Sequence, residues 1–100
     1  MTIFSSNPST GIGALAPVPA ATTLGTPLGT LPDGAVGARL YLPAGSAVSF
    51  TIAAAAPASA PSAVFTASQA LTGANWDEPL AGGQMVYVTA LSGAPLFRWI

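Results

Sequence analysis

VGARLYLPAGSAVSFTI, residues 36–52, carries the pattern on which the fold turns. Val36, Ala38, Leu40 and Leu42 alternate with Gly37, Arg39 and Tyr41, the period of two that puts one row of side chains on each face of an extended chain. Pro43-Ala44-Gly45-Ser46 breaks the run with turn residues: proline presets its own φ, and glycine accepts a positive one. Val48, Phe50 and Ile52 then alternate with Ala47, Ser49, Thr51 and Ala53, the most regular strand pattern in the chain.

The same grammar extends both ways. Upstream, Leu31-Pro32-Asp33-Gly34 reads as a tight β-turn joining a strand that ends near Leu31 to the one over residues 36–42. Downstream, the alanines of residues 53–60 have helical propensity, but Pro57 and Pro61 cut the segment too short, so a loop is expected. Residues 63–70 give a third strand, with Val64, Thr66 and Ser68 set against Phe65 and Ala67. Residues 73–79 read as a polar, aromatic loop, and residues 81–88 then echo residues 44–51: small turn residues, an apolar residue, and an aromatic two positions on. Ser92-Gly93-Ala94-Pro95 ends that strand, and residues 96–100 supply a last one, whose bulky apolar side chains are expected in a paired strand. Short strands about ten residues apart, parted by Gly/Pro turns, predict an all-β fold, a small antiparallel β-sandwich or jelly-roll-like barrel.

Residues 1–32 hold no charge and are punctuated by Pro8, Gly11, Gly13, Pro17, Pro19, Gly25, Pro27, Gly29 and Pro32. Disorder is one reading of such a leader. The preferred one is an extended arm lying on a neighbouring subunit, anchored by Ile3, Phe4, Ile12, Leu15, Val18, Leu24, Leu28 and Leu31. The expected division is an extended or disordered N-terminal arm over residues 1–26 and a single β domain over residues 27–100.

Of the 100 residues, 51% are hydrophobic and only 5% charged, with a net charge of -1 and both cations arginine. A free monomer relies on scattered charge for solubility, so this surface is expected to be covered in part by other subunits. Much of the apolar fraction is alanine, which predicts a thin core and stability borrowed from neighbours. With no cysteine or histidine, the chain lacks disulfides, thiol nucleophiles, the usual zinc ligands and imidazole chemistry. We therefore expect a non-enzyme with no cofactor and no metal. Two arginines cannot build the basic surface that a phosphate backbone requires, so no nucleic-acid partner is expected. Pro43, Pro57 and Pro61 interrupt the charge-free stretch from Leu40 to Trp76, which Ser, Thr and Gly also dilute, and this argues against a transmembrane helix and a membrane partner. Residues 1–10 lack the basic start and apolar core of a secretory signal.

The acidic pair Asp77-Glu78, beside Asn75 and Trp76, invites a glycosidase, sugar-binding or calcium reading. Adjacent residues of an extended chain point in different directions and no third catalytic group is near in sequence. The preferred reading has Trp76 plugging the edge of a thin core while the carboxylates cap a turn or meet an arginine. Arg39, beside Tyr41, and Arg98, between Phe97 and Trp99, are expected to pair with Asp77, Glu78 or Asp33, within the subunit or across an interface. The candidate assembly contacts are thus Arg39, Trp76, Asp77, Glu78, Arg98 and Trp99.

The uncharged leader, Arg39-Leu40-Tyr41-Leu42-Pro43-Ala44-Gly45, Asn75-Trp76-Asp77-Glu78-Pro79 and Gln84-Met85-Val86-Tyr87-Val88-Thr89 together resemble small accessory structural proteins of tailed bacteriophages. The resemblance implies a subunit that decorates a capsid or forms part of a tail, fibre or adaptor, made in the host cytoplasm and located in the virion. It would assemble through the N-terminal arm and sheet edges, as a homo-oligomer and with other virion proteins such as the major capsid or tail protein. No active-site residues come with it. Two alternatives stand beside it: a carbohydrate-binding or adhesive module that stacks glycans on Trp76, Tyr41, Tyr87 or Trp99, and a subunit of a non-viral lattice.

Overall fold

In a computed structural model, residues 12–62, 64–68 and 75–100 are described. The two halves of residues 36–52 are strands β3 (Gly37–Tyr41) and β4 (Ala47–Ala53). Around them lie β1 (Ile12–Pro17), β2 (Thr26–Pro27), β5 (Phe65–Ser68), β6 (Asn75–Pro79), β7 (Met85–Ser92) and β8 (Leu96–Trp99). The fold is all-β, with no helix among the described residues and so none able to cross a membrane.

The second half of the chain retraces the first. β1 pairs with β8, β2 with β7, β3 with β6 and β4 with β5, all antiparallel. Further antiparallel pairings, β3 with β8 and β4 with β7, draw these ribbons into two four-stranded sheets, β1-β8-β3-β6 and β2-β7-β4-β5. Except for β4, which is followed by β5 in its own sheet, each strand from β1 to β7 is followed by one in the opposite sheet. The tight turns are therefore corners between sheets. Ser46 N–H bonds to Pro43 O at 2.9 Å and Gln84 N–H to Ala81 O at 3.0 Å. The third turn residue is Gly45 (φ 80) in one and Gly83 (φ 82) in the other, a geometry that favours glycine.

Alternation delivers the core. Ala38 and Leu40 of β3 and Phe97 of β8 face Val48 and Phe50 of β4, Ala67 of β5, and Val86 and Val88 of β7, giving a sandwich-like apolar layer closed further by Leu42 and Leu80. Along β4 and β7 the register shifts: Ser49 faces Ala90 but Phe50 faces Val88. Thr89 is the extra residue of this bulge, and its Oγ1 donates to Ser49 O at 3.2 Å. The bulge resets the phase of β7, so that Leu91 joins Val86 and Val88 against the core.

Three expectations need correction. Residues 75–79 are a strand rather than a loop, paired residue for residue with β3 from Gly37↔Pro79 to Tyr41↔Asn75. Within residues 12–26 of the expected arm, β1 (Ile12–Pro17) lies along β8, Val18 is buried and Thr26 pairs with Val88 of β7, so this part packs on its own sheets. β1 is an edge strand, where Pro17 costs no ladder bond, and positive-φ Gly13 lies in its register break between Ile12 and Ala16. Residues 1–11 of that arm lie outside the described residues. Finally, the strand expected to end near Leu31 is only Thr26–Pro27; beyond it, Leu28 N–H still bonds to Val86 O at 2.9 Å.

Candidate assembly surface

The period of two sends Arg39 of β3 to the outer face of the β1-β8-β3-β6 sheet, where it sits directly between Asp77 of β6 and Arg98 of β8. Arg39 Nε donates to Asp77 Oδ1 at 2.6 Å and a terminal guanidinium nitrogen to Asp77 Oδ2 at 2.8 Å, a bidentate pair across neighbouring strands. Each group shifts the other. The hydrogen bonds from Arg39 hold the Asp77 carboxyl below its ordinary value, against the opposing effect of burial. The bond to Asp77 raises Arg39 further, with Tyr41 adding to it.

Arg98 stands opposite Arg39, an arrangement that like charges disfavour. Its Nε donates to Gly13 O at 3.0 Å, in the irregular part of β1, and among the described residues it forms no ion pair. The row Arg98–Arg39–Asp77 thus offers one uncompensated cation on a surface that is otherwise poor in charge. Asp33 is not part of it; it lies in an exposed turn closed by Ala35 N–H to Pro32 O at 3.1 Å.

The remaining candidates turn the other way. Trp76 packs against the core with its ring edge-on to Phe50, centroids 6.2 Å apart, and its Nε1 donates to Glu78 Oε1 at 3.0 Å. Glu78 therefore points inward on an edge strand. Trp99 packs edge-on to Phe97, centroids 5.4 Å apart, close over Gly29. Three of the six candidates, Arg39, Asp77 and Arg98, form one surface row, while Trp76, Glu78 and Trp99 serve the interior margin. Placed against the core, neither tryptophan is presented as an open stacking platform.

Sequence reasoning did not single out Phe65. It lies beside Phe50, ring centroids 5.8 Å apart, on the strand position that alternates with outward Thr66, yet it is 53% exposed. Val64 next to it is also exposed. The available signal was the adjacent Val64-Phe65 pair at the start of a short, uncharged strand. Among the described residues no cluster of three acidic, histidine or cysteine side chains could hold a metal ion. No protein-family model, curated protein or solved structure matches the chain.

Proposed function

We propose that the chain is a structural subunit of a tailed-bacteriophage particle, a capsid decoration or tail- or fibre-associated protein. It docks through sheet edges and through residues 1–11, in several copies, beside a major capsid or tail protein. The observation that carries this reading is the strand order, β1-β8-β3-β6 over β2-β7-β4-β5. Nested pairing of the first four strands with the last four is the connectivity of a jelly roll, an architecture that recurs in viral capsid proteins and in lectins. Fold alone does not give function; the surface supplies the second argument. Leu15, Leu24, Val36, Val64 and Phe65 are all largely exposed on a chain with 5% charged residues, as suits a subunit whose outside is another subunit's contact. The lectin-like alternative loses its principal platforms, because Trp76 and Trp99 pack against the core.

The test is incorporation. Deletion of residues 1–11 spares every described strand, whereas deletion through residue 24 would also remove β1 and buried Val18. Particles assembled with the shorter deletion, or with Arg98→Glu, are expected to carry far less of this subunit, while the isolated variants keep a wild-type melting transition. Full occupancy by both variants would refute the reading.

A further inference from the structure

Four strands end the two sheets: β1 and β6 in one, β2 and β5 in the other. An edge strand presents unpaired N–H and C=O groups, and proteins that avoid pairing guard such edges with charge, proline, irregularity or brevity. Three of these edges are guarded. β1 contains Pro17 and a register break. β2 is two residues long, and one is Pro27. β6 carries Asp77 and Pro79 and turns Glu78 inward.

Among the described residues, β5 carries no charge, proline or irregularity. Phe65-Thr66-Ala67-Ser68 is uncharged, proline-free and paired with β4 in unbroken register. Ala67 is fully buried, but Phe65, on the same face and beside the buried ring of Phe50, is 53% exposed. A ring aimed along the core and half in water marks the side on which the apolar layer is left open.

We propose that β5 is a dimerisation strand: two copies of the chain pair antiparallel through β5 about a two-fold axis, joining their β2-β7-β4-β5 sheets into one. A second copy fits because this edge is complementary to itself. It bears no charge to repel its own image. Keeping both apolar layers on one side of the joined sheet requires residues of the same parity to face each other. Centring the pair on Thr66 meets that condition, placing Thr66 against the partner's Thr66 on the outer face and Phe65 against the partner's Ala67 on the inner one. The large ring meets a small side chain twice, and threonine pairs across strands are favourable. A three-residue ladder, Phe65 to Ala67, with two rings is smaller than a standard interface, so the dimer is weak and concentration-dependent. The proposal deepens the assembly reading by naming the partner and the strand, and rests on it only for the expectation that the chain works in copies.

The chain has no cysteine, which makes disulfide trapping clean. Directly opposed residues of an antiparallel pair have Cα atoms about 4.5–5.5 Å apart, within disulfide range. Oxidised Thr66→Cys is therefore expected to run as a covalent dimer, while Asn75→Cys, on guarded β6, stays monomeric. In sedimentation equilibrium the wild-type chain should dimerise with rising concentration, and Thr66→Lys should weaken that at least tenfold with an unchanged circular-dichroism spectrum. A Thr66→Cys protein that stays monomeric, equal cross-linking of Asn75→Cys, or a Thr66→Lys protein that dimerises as before would each overturn the proposal. Because these tests use the isolated chain, their failure would leave the particle-incorporation reading intact, and failure of incorporation would leave the dimer intact.

Discussion

Replacing Phe50 by leucine tests the sandwich where its two sheets are coupled most directly. The Phe50 side chain is fully buried on β4 and has two aromatic neighbours, Phe65 on β5 at 5.8 Å and Trp76 on β6 of the opposite sheet at 6.2 Å. Leucine keeps most of the apolar contact and removes both ring pairs, each worth about 0.5–1.5 kcal/mol beyond area burial. The expected loss is therefore about 1–3 kcal/mol, which for a domain of this size lowers the melting temperature by roughly 5–20 °C. Phe65→Leu loses only one of those pairs and little buried area, since that ring is half exposed, so its cost should stay below about 1 kcal/mol. Urea titrations of both single variants and the double variant, followed by tryptophan fluorescence at low protein concentration, measure the difference and give the Phe50–Phe65 coupling. Equal costs for the two single variants would refute the burial asymmetry on which both the core description and the open edge at β5 depend.

Two further outcomes follow from the geometry. The Arg39 guanidinium holds the folded Asp77 carboxyl below its ordinary value, so its contribution is present above that ordinary value and is lost as pH falls through the lower folded one. With the Asp77 side chain 48% exposed, solvent screening limits the pair to about 1 kcal/mol or less. Asp77→Asn should cost that amount at neutral pH and progressively less in urea midpoints as pH is lowered below the ordinary carboxylate range, and a gap that stays constant on acidification would count against the pair. At Gly25, φ is +107 and an added Cβ would come within 2.7 Å of Tyr87 Cβ, whereas at Gly34, with φ +85, it would meet nothing within 4 Å. Gly25→Ala should thus exceed the roughly 1 kcal/mol expected of Gly34→Ala by at least another 1 kcal/mol in thermal melts, and equal penalties would show that the loop does not lie against Tyr87.

What the sequence disclosed depended on whether side-chain alternation was intact. β3 and β4 were legible because inward Ala38, Leu40, Val48 and Phe50 are apolar and their outward neighbours are mostly small or polar. β6 was hidden because one of its inward positions is Glu78, whose carboxylate accepts the Trp76 N–H; a charge at a core-facing site reads as loop until its partner is known. β1 was hidden for another reason. Gly13 and Pro17 are breakers in a central strand, but at an edge they are tolerated and even protective, and edge or centre is a property of topology rather than of local sequence. Of the candidate contacts, the Arg39–Asp77 pair followed from charge scarcity, since few partners were available to either group. The inward turn of Trp76 and the exposure of Phe65 both depend on where the sheets end, which no local pattern encodes.

The echo between residues 44–51 and 81–88 acquires a structural meaning from the same topology. β3 pairs with β6 and β4 with β7, so the two strand–corner–strand units lie antiparallel against each other, one strand of each in either sheet. Each corner must carry the chain across the same thickness of core, and each does so with an i to i+3 backbone bond and a glycine near φ 80. Similar local sequence here reflects an equivalent position in a nearly symmetric pair. The units differ where symmetry is least constrained. β3 is flanked on both sides within its sheet and can leave Arg39 facing out, while β6, at the edge, carries Asp77, Glu78 and Pro79, which keep that edge unpaired. The corresponding edge of the other sheet, β5, lies outside this paired unit and has no such guard. The asymmetry between β5 and β6 therefore leaves one edge able to take up a partner strand and the other blocked, which is the physical basis for expecting assembly through β5.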